Sequence, residues 1–137
     1  MERVFVRKPK NGALHNFHPI VIKTASALYR DRHYRQAVLD TYIALVQRVK
    51  DVSGRSDLDN TGLMQTVFSP KSPIVILSED PDQQMGYMWM FSGAVMGVRN
   101  PKAHRLEELS DPHHALEWLA FASALFRLLD DAKRTKT

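Results

Sequence analysis

Prolines decide where this chain can be helical. Asp80-Pro81, Asn100-Pro101 and Asp111-Pro112 divide its second half. A proline in a first helical turn forfeits no hydrogen bond, and an Asp before it can cap the free N–H groups. Asp80-Pro81 and Ser110-Asp111-Pro112 therefore open helices, and Gln83 is placed to complete a capping box with Asp80. Asn100-Pro101 does the reverse. Its proline ring drives Asn100 out of the α region, so the helix begun at Pro81 must stop there. Residues 83–98 carry no charge and hold Met85, Tyr87, Met88, Trp89, Met90, Phe91, Val95 and Met96. The stretch is too short to span a bilayer, and these side chains read as core. Gly93 and Gly97 share one face, where another backbone can approach.

The first half carries two further helical patterns. One runs from His18-Pro19 to Arg30. Another covers 33–53 and ends at Gly54, a residue suited to a left-handed helix stop. In it Val38, Tyr42, Leu45, Val49 and Val52 form one apolar stripe, and Leu39, Ile43 and Val46 an adjoining one. Gln36, Asp40, Gln47 and Asp51 leave only a narrow polar strip. Near the C-terminus, residues 115–129 are polar only at Glu117, Ser123 and Arg127, with Ala120 and Ala124 on the polar face. A short helix around 61–68 is broken by Ser69-Pro70-Lys71-Ser72-Pro73, after which Ile74–Leu77 reads as a strand or extended loop with no partner strand. The expected class is all-α, an up-and-down four-helix bundle with an additional short helix and an irregular 69–80 loop. Two helices this apolar exceed what one small core needs, so a second copy is expected to cover part of that surface.

With 137 residues the chain is long enough for one core and is read as a basic arm (1–17), a helical domain (18–133) and a basic tail (134–137). It has no cysteine, which excludes a disulfide framework, a thiolate metal site and a cysteine nucleophile. No leader segment is read at its start, so a cytoplasmic protein without membrane partners is expected. The net charge of +4 suits an anionic partner such as RNA, bound in a salt-sensitive way.

The chemistry-bearing run is Gly97-Val98-Arg99-Asn100-Pro101-Lys102-Ala103-His104. Arg99 falls on the last helical turn, where a cation also meets the negative end of the helix dipole, worth about 0.3–1 kcal/mol. Beyond the forced break, His104 can fold back beside it. A permanent cation next to a group titrating near neutrality can grip a phosphate and move a proton.

His18-Pro19, Arg32-His33-Tyr34-Arg35-Gln36-Ala37-Val38, Gly62-Leu63-Met64, Phe68-Ser69-Pro70, Gly86, Phe91-Ser92-Gly93-Ala94 and the run from Gly97 to His104 together resemble the Ymh-like family of bacterial hypothetical proteins, over about residues 18–132. That family looks like a branch of the HEPN superfamily, whose hallmark of Arg, a polar residue, a few others and His is matched here by Arg99, Asn100 and His104. The resemblance implies a HEPN-like four-helix bundle, a homodimer whose two motifs meet in one composite cleft, and metal-independent endoribonuclease activity in toxin or antiviral abortive-infection systems. An antitoxin or another defence protein is an implied partner. One toxin branch carries a modified Tyr two residues after the His; here that position is Leu106, so that control is missing. Many superfamily members are catalytically silent and bind nucleotides, RNA or proteins, which is the alternative reading.

For an enzyme of this kind, His104 would deprotonate the 2′-OH of RNA or protonate the leaving 5′-oxygen. Arg99 would stabilise the dianionic phosphorane, and Asn100 would orient phosphate or imidazole. The products would be 2′,3′-cyclic phosphate and 5′-hydroxyl ends, with no cofactor or metal. Lys102 and Arg105 can hold neighbouring phosphates, and Asp40 can orient His104 or Arg99. His113 and His114 adjoin on a first helical turn and point about 100° apart, so they do not form a zinc pair.

Overall fold

The computed structural model describes residues 12–99 and 109–135. Five α-helices account for most of it: α1 (Pro19–Arg30), α2 (Tyr34–Ser53), α3 (Asn60–Val67), α4 (Pro81–Ala94) and α5 (Pro112–Asp130). A short 3₁₀ turn, Gly12–Leu14, precedes them, and a π-helical turn, Val95–Arg99, extends α4. The all-α expectation holds, and no helix among the described residues is long and apolar enough to cross a membrane.

Cross-links between helices fix their directions. The Tyr29 hydroxyl at the end of α1 donates to the Pro112 carbonyl at the start of α5 (3.2 Å), and His18 at the start of α1 bonds Asp130 at the end of α5. These two helices are therefore antiparallel. On α2, the buried Tyr42 hydroxyl donates to the Trp118 carbonyl midway along α5 (2.7 Å), and burial raises the phenol pKa above its usual range. With Gly54 beside Arg134 just past α5, α2 runs parallel to α5. Helix α2 packs against α1, α5, α3 and the π turn, which makes it the central element of the described structure.

Local chemistry explains the helix ends. Helix α1 stops by a Schellman pattern: the His33 N–H reaches the Leu28 carbonyl while Arg32 takes a left-handed φ of 65°. Helix α2 ends at Gly54 (φ 73°) as expected. Asp80 and Asp111 cap α4 and α5 by accepting from the N–H groups of Asp82 and His113. The capping box does not form. Gln83 instead accepts from the Ser78 hydroxyl, and Ser78 also serves the Asp80 N–H.

Two expectations are corrected. The run after Pro73 does find a partner: β1 (Val75–Ile76) pairs antiparallel with β2 (Lys133–Arg134), so Arg134 sits in a ladder and Thr135 bonds back to Ile74 (2.9 Å). The sequence reading divided that partner between the end of the helical domain (Lys133) and the basic tail (Arg134), 57 positions from Ile76 at Lys133, where no local pattern reveals it. The packed domain also begins upstream of position 18, since Leu14 is fully enclosed in the core.

The irregular 69–80 excursion is locked by one side chain. Gln84, 2% exposed, accepts from the Leu77 and Ser78 N–H groups (2.8 and 3.1 Å) and donates to the Phe68 and Val75 carbonyls (3.1 and 3.0 Å). Every hydrogen-bonding site of the amide is filled. Phe68 and Phe91 stack nearby at 4.6 Å, joining α3 to α4. Replacing Gln84 with Leu leaves buried backbone groups unpaired, so unfolding free energy in urea should fall by about 3 kcal/mol, whereas Gln83→Leu should change it by under about 1 kcal/mol.

Candidate functional site

Arg99 is where α4 leaves the α-helical register. The Val95 N–H is shared between the Phe91 and Ser92 carbonyls, and the chain then widens into a π turn over Val95–Arg99. Such turns are uncommon, and single π turns within helices cluster at functional sites. Val95 and Val98 are buried and pin the turn, which packs against α2 and α3. Arg99, its last residue, is half-buried. Its Nε is shut off from solvent and has no hydrogen-bond partner among the described residues. An enclosed donor on a cationic group with nothing to donate to is costly, and so calls for an explanation.

The other proposed participants divide into two groups. Asn100, Lys102, His104 and Arg105 lie outside the described residues. Asp40 lies within them, and its carboxylate accepts from Gln36 one turn away on the α2 surface. No ion pair joins Asp40 to Arg99 among the described residues, so the structure gives Asp40 a local partner and shows no orienting contact. Arg48 on α2 shares the unusual feature of Arg99, an enclosed Nε without a partner. Neither the π turn nor these unpaired donors leaves a mark on hydrophobic periodicity.

One polar cluster imitates a catalytic set. His18, Asp130 and Ser123 come together at the start of α1, and His18 is buried and stacked on Phe126 (centroids 5.2 Å apart). The Nε2–H of His18 donates to Asp130 Oδ2 (2.8 Å). Its Nδ1 accepts from the Ile20 N–H (3.1 Å), which caps α1 and places the ring hydrogen on Nε2. Ser123 Oγ, however, accepts from the backbone N–H of His18 (2.8 Å) and makes no bond to the ring. The imidazole has no free nitrogen left to activate a nucleophile. The cluster fastens α1 to α5.

His113 and His114 are exposed, and His114 Nε2 accepts from the Trp118 indole (3.2 Å). This fixes the hydrogen of His114 on the other ring nitrogen. Among the described residues no group of three acidic or imidazole side chains converges as a metal site.

These features define an all-α domain whose longest helix, α2, packs against α1, α3, α5 and the π turn that ends, among the described residues, with Arg99. The chain matches the Hypoth_Ymh family, described as proteins of unknown function, over residues 15–129, and belongs to it. No curated protein and no solved structure matches it. Because His18 acts as a cap and fastener, His18→Asn should keep the N-cap and lose the Asp130 link. Stability should drop by about 1 kcal/mol in chemical denaturation.

Proposed function

We propose that this protein is a metal-independent endoribonuclease of a bacterial toxin or antiviral defence system, a HEPN-superfamily branch with a HEPN-like four-helix bundle. It acts in the cytoplasm as a homodimer whose cleft is built from both copies, and a partner protein of the same system restrains it. The observation that supports this reading is Arg99: a half-buried guanidinium at the end of a π turn, with an enclosed Nε and no acceptor among the described residues. The planar fork of N–H donors on that guanidinium matches the paired oxygens of a phosphodiester.

In the proposed reaction His104 takes the proton from the 2′-OH, whose oxygen attacks the adjacent phosphorus. Two negative charges then build on the equatorial oxygens of the phosphorane. Arg99 faces them, with Asn100 orienting the group, and a donor so placed supplies about 3–4 kcal/mol. The bond to the 5′-oxygen breaks as that oxygen gains a proton, giving 2′,3′-cyclic phosphate and 5′-hydroxyl ends. Lys102 and Arg105 hold flanking phosphates. RNA carries its own nucleophile, so the protein has only to move protons and stabilise charge.

Total RNA incubated with the protein in chelator should be cut to fragments ending in cyclic phosphate. Arg99→Ala and His104→Ala should each slow cleavage by about 10²-fold or more. Arg99→Lys should recover little, because an ammonium keeps the charge and loses the fork. Salt-sensitive RNA retention without any cleavage would replace this reading with the silent binding module.

A further inference from the structure

The methionine and aromatic side chains of α4 and its π turn were expected to be core, and only Met88 and Phe91 of the seven are buried. Met88, Phe91, Val95 and Val98 enter the core. The opposite face presents Met85 (44% exposed), Trp89 (55%), Met90 (40%) and Met96 (61%), four of the five large hydrophobic side chains that the described structure leaves exposed. Between them sit Gly86, Gly93 and Gly97, all exposed, where an added Cβ would meet nothing within 4 Å. The face holds knobs and notches and no charge between Gln83 and Val98. Side chains of this size and exposure present on the order of several hundred Å² of apolar surface, the scale that marks an interaction site on a soluble protein.

The order of knobs and notches identifies the occupant. About position 91 the face reads as its own complement: Met85 mirrors Gly97, Gly86 mirrors Met96, and Trp89 mirrors Gly93. A two-fold axis through that position, with the two helices antiparallel, sets each bulky side chain of one copy against a glycine of the other. A parallel pairing would stack Trp89 on Trp89 and leave the glycine levels empty. The antiparallel arrangement also opposes the helix dipoles. It brings the acidic first turn of one helix, with exposed Asp82, to the end of the other, where Arg99 lies. Shape and charge both fit a second copy of this chain, in the isologous manner of two-fold dimers.

We infer that α4 pairs antiparallel with α4 of a second copy across a two-fold axis at position 91, each Trp89 seating over the partner's Gly93. The inference takes from the preceding reading the premise that two copies associate, and it needs no cleavage. It departs from an arrangement in which the two motifs meet. With a rise of 1.5 Å per residue in the α-helical part, each Arg99 backbone lies on the order of 12 Å along the helix from the axis, so the two Arg99 backbones are on the order of 20 Å apart. Each cleft is then built from one copy's Arg99 and the start of the partner's α4. The partner's Asp82 can hold one edge of the guanidinium while the other edge faces phosphate.

The absence of native cysteine makes the register directly readable. Gly86→Cys and Met96→Cys proteins, mixed and oxidised, should yield a covalent heterodimer, while each alone should stay uncrosslinked. The wild type should sediment as a dimer at micromolar concentration. Gly93→Leu should weaken association by about thirty-fold or more, the level of an interface hot spot, without loss of helical signal, since the position is open and Leu favours helix. A wild type that stays monomeric at 100-fold higher concentration overturns the proposal, as does a Met96→Cys protein that crosslinks to itself or a dimer indifferent to Gly93→Leu. An active monomeric nuclease would remove this interface together with the shared cleft, and leave only the RNA-cleaving chemistry standing. A stable antiparallel dimer inert toward RNA would do the opposite.

Discussion

The buried amide of Gln84 governs more of this molecule than any other single group. Its four hydrogen bonds tie the first turn of α4 to the end of α3 and to β1, and β1 in turn holds β2 just past α5. The position and rotation of α4 therefore follow from a polar contact made in the core. Rotation matters because α4 is apolar on nearly every side and its periodicity selects no face. Had the helix been oriented by hydrophobicity alone, Trp89 and Met88 would have had comparable claims on the interior. The Gln84 network, with Phe91 set against Phe68, decides between them.

Once that rotation is set, α4 has two consequences at its other end and on its outer side. Outward go the methionines, Trp89 and the open glycines, a surface poorly suited to solvent and well suited to its own copy. At the end, the π turn inserts an extra residue per turn just where the helix meets α2, and it delivers Arg99 to a half-buried position with its Nε enclosed. The apolar face and the guanidinium are therefore on one rigid element. Any partner gripping the face also sets the surroundings of Arg99, which is a mechanical reason for association and chemistry to be linked.

The helices were legible in the sequence because their punctuation is local. Asp-Pro pairs open α4 and α5, Gly54 closes α2, and each signal is read within a few residues. Gln84 was not legible, since a Gln beside Gln83 in a polar first turn looks like surface, and its partners lie up to sixteen positions away. The pairing of β1 with β2 failed for the same reason at greater distance. The rotation of α4 failed because a helix without a polar side offers no signal to read. Of the proposed site, Arg99 falls in the π turn that extends α4, and Asn100, Lys102, His104 and Arg105 lie outside the described residues. Asp40 accepts from the neighbouring Gln36, a partner that sequence spacing does not single out, because spacing shows which face a side chain shares and not which partner it chooses.

Satisfaction of hydrogen bonds separates structural from functional polarity here better than residue type does. His18, Asp130 and Ser123 have the composition of a hydrolytic triad, yet each atom of the imidazole is already engaged and the serine oxygen is committed to a backbone N–H. A group whose bonds are complete in the resting fold has little to offer a substrate, because binding would first have to break them. Arg99 is the converse case. It bears a permanent charge, stands on an uncommon type of turn, and keeps an enclosed donor with no acceptor among the described residues. That Nε is closed to an oxyanion as it is to water in the resting fold, so a phosphate would be met by the terminal N–H groups of the guanidinium. That asymmetry is why the weaker-looking single arginine, and not the ready-made triad, carries the functional reading.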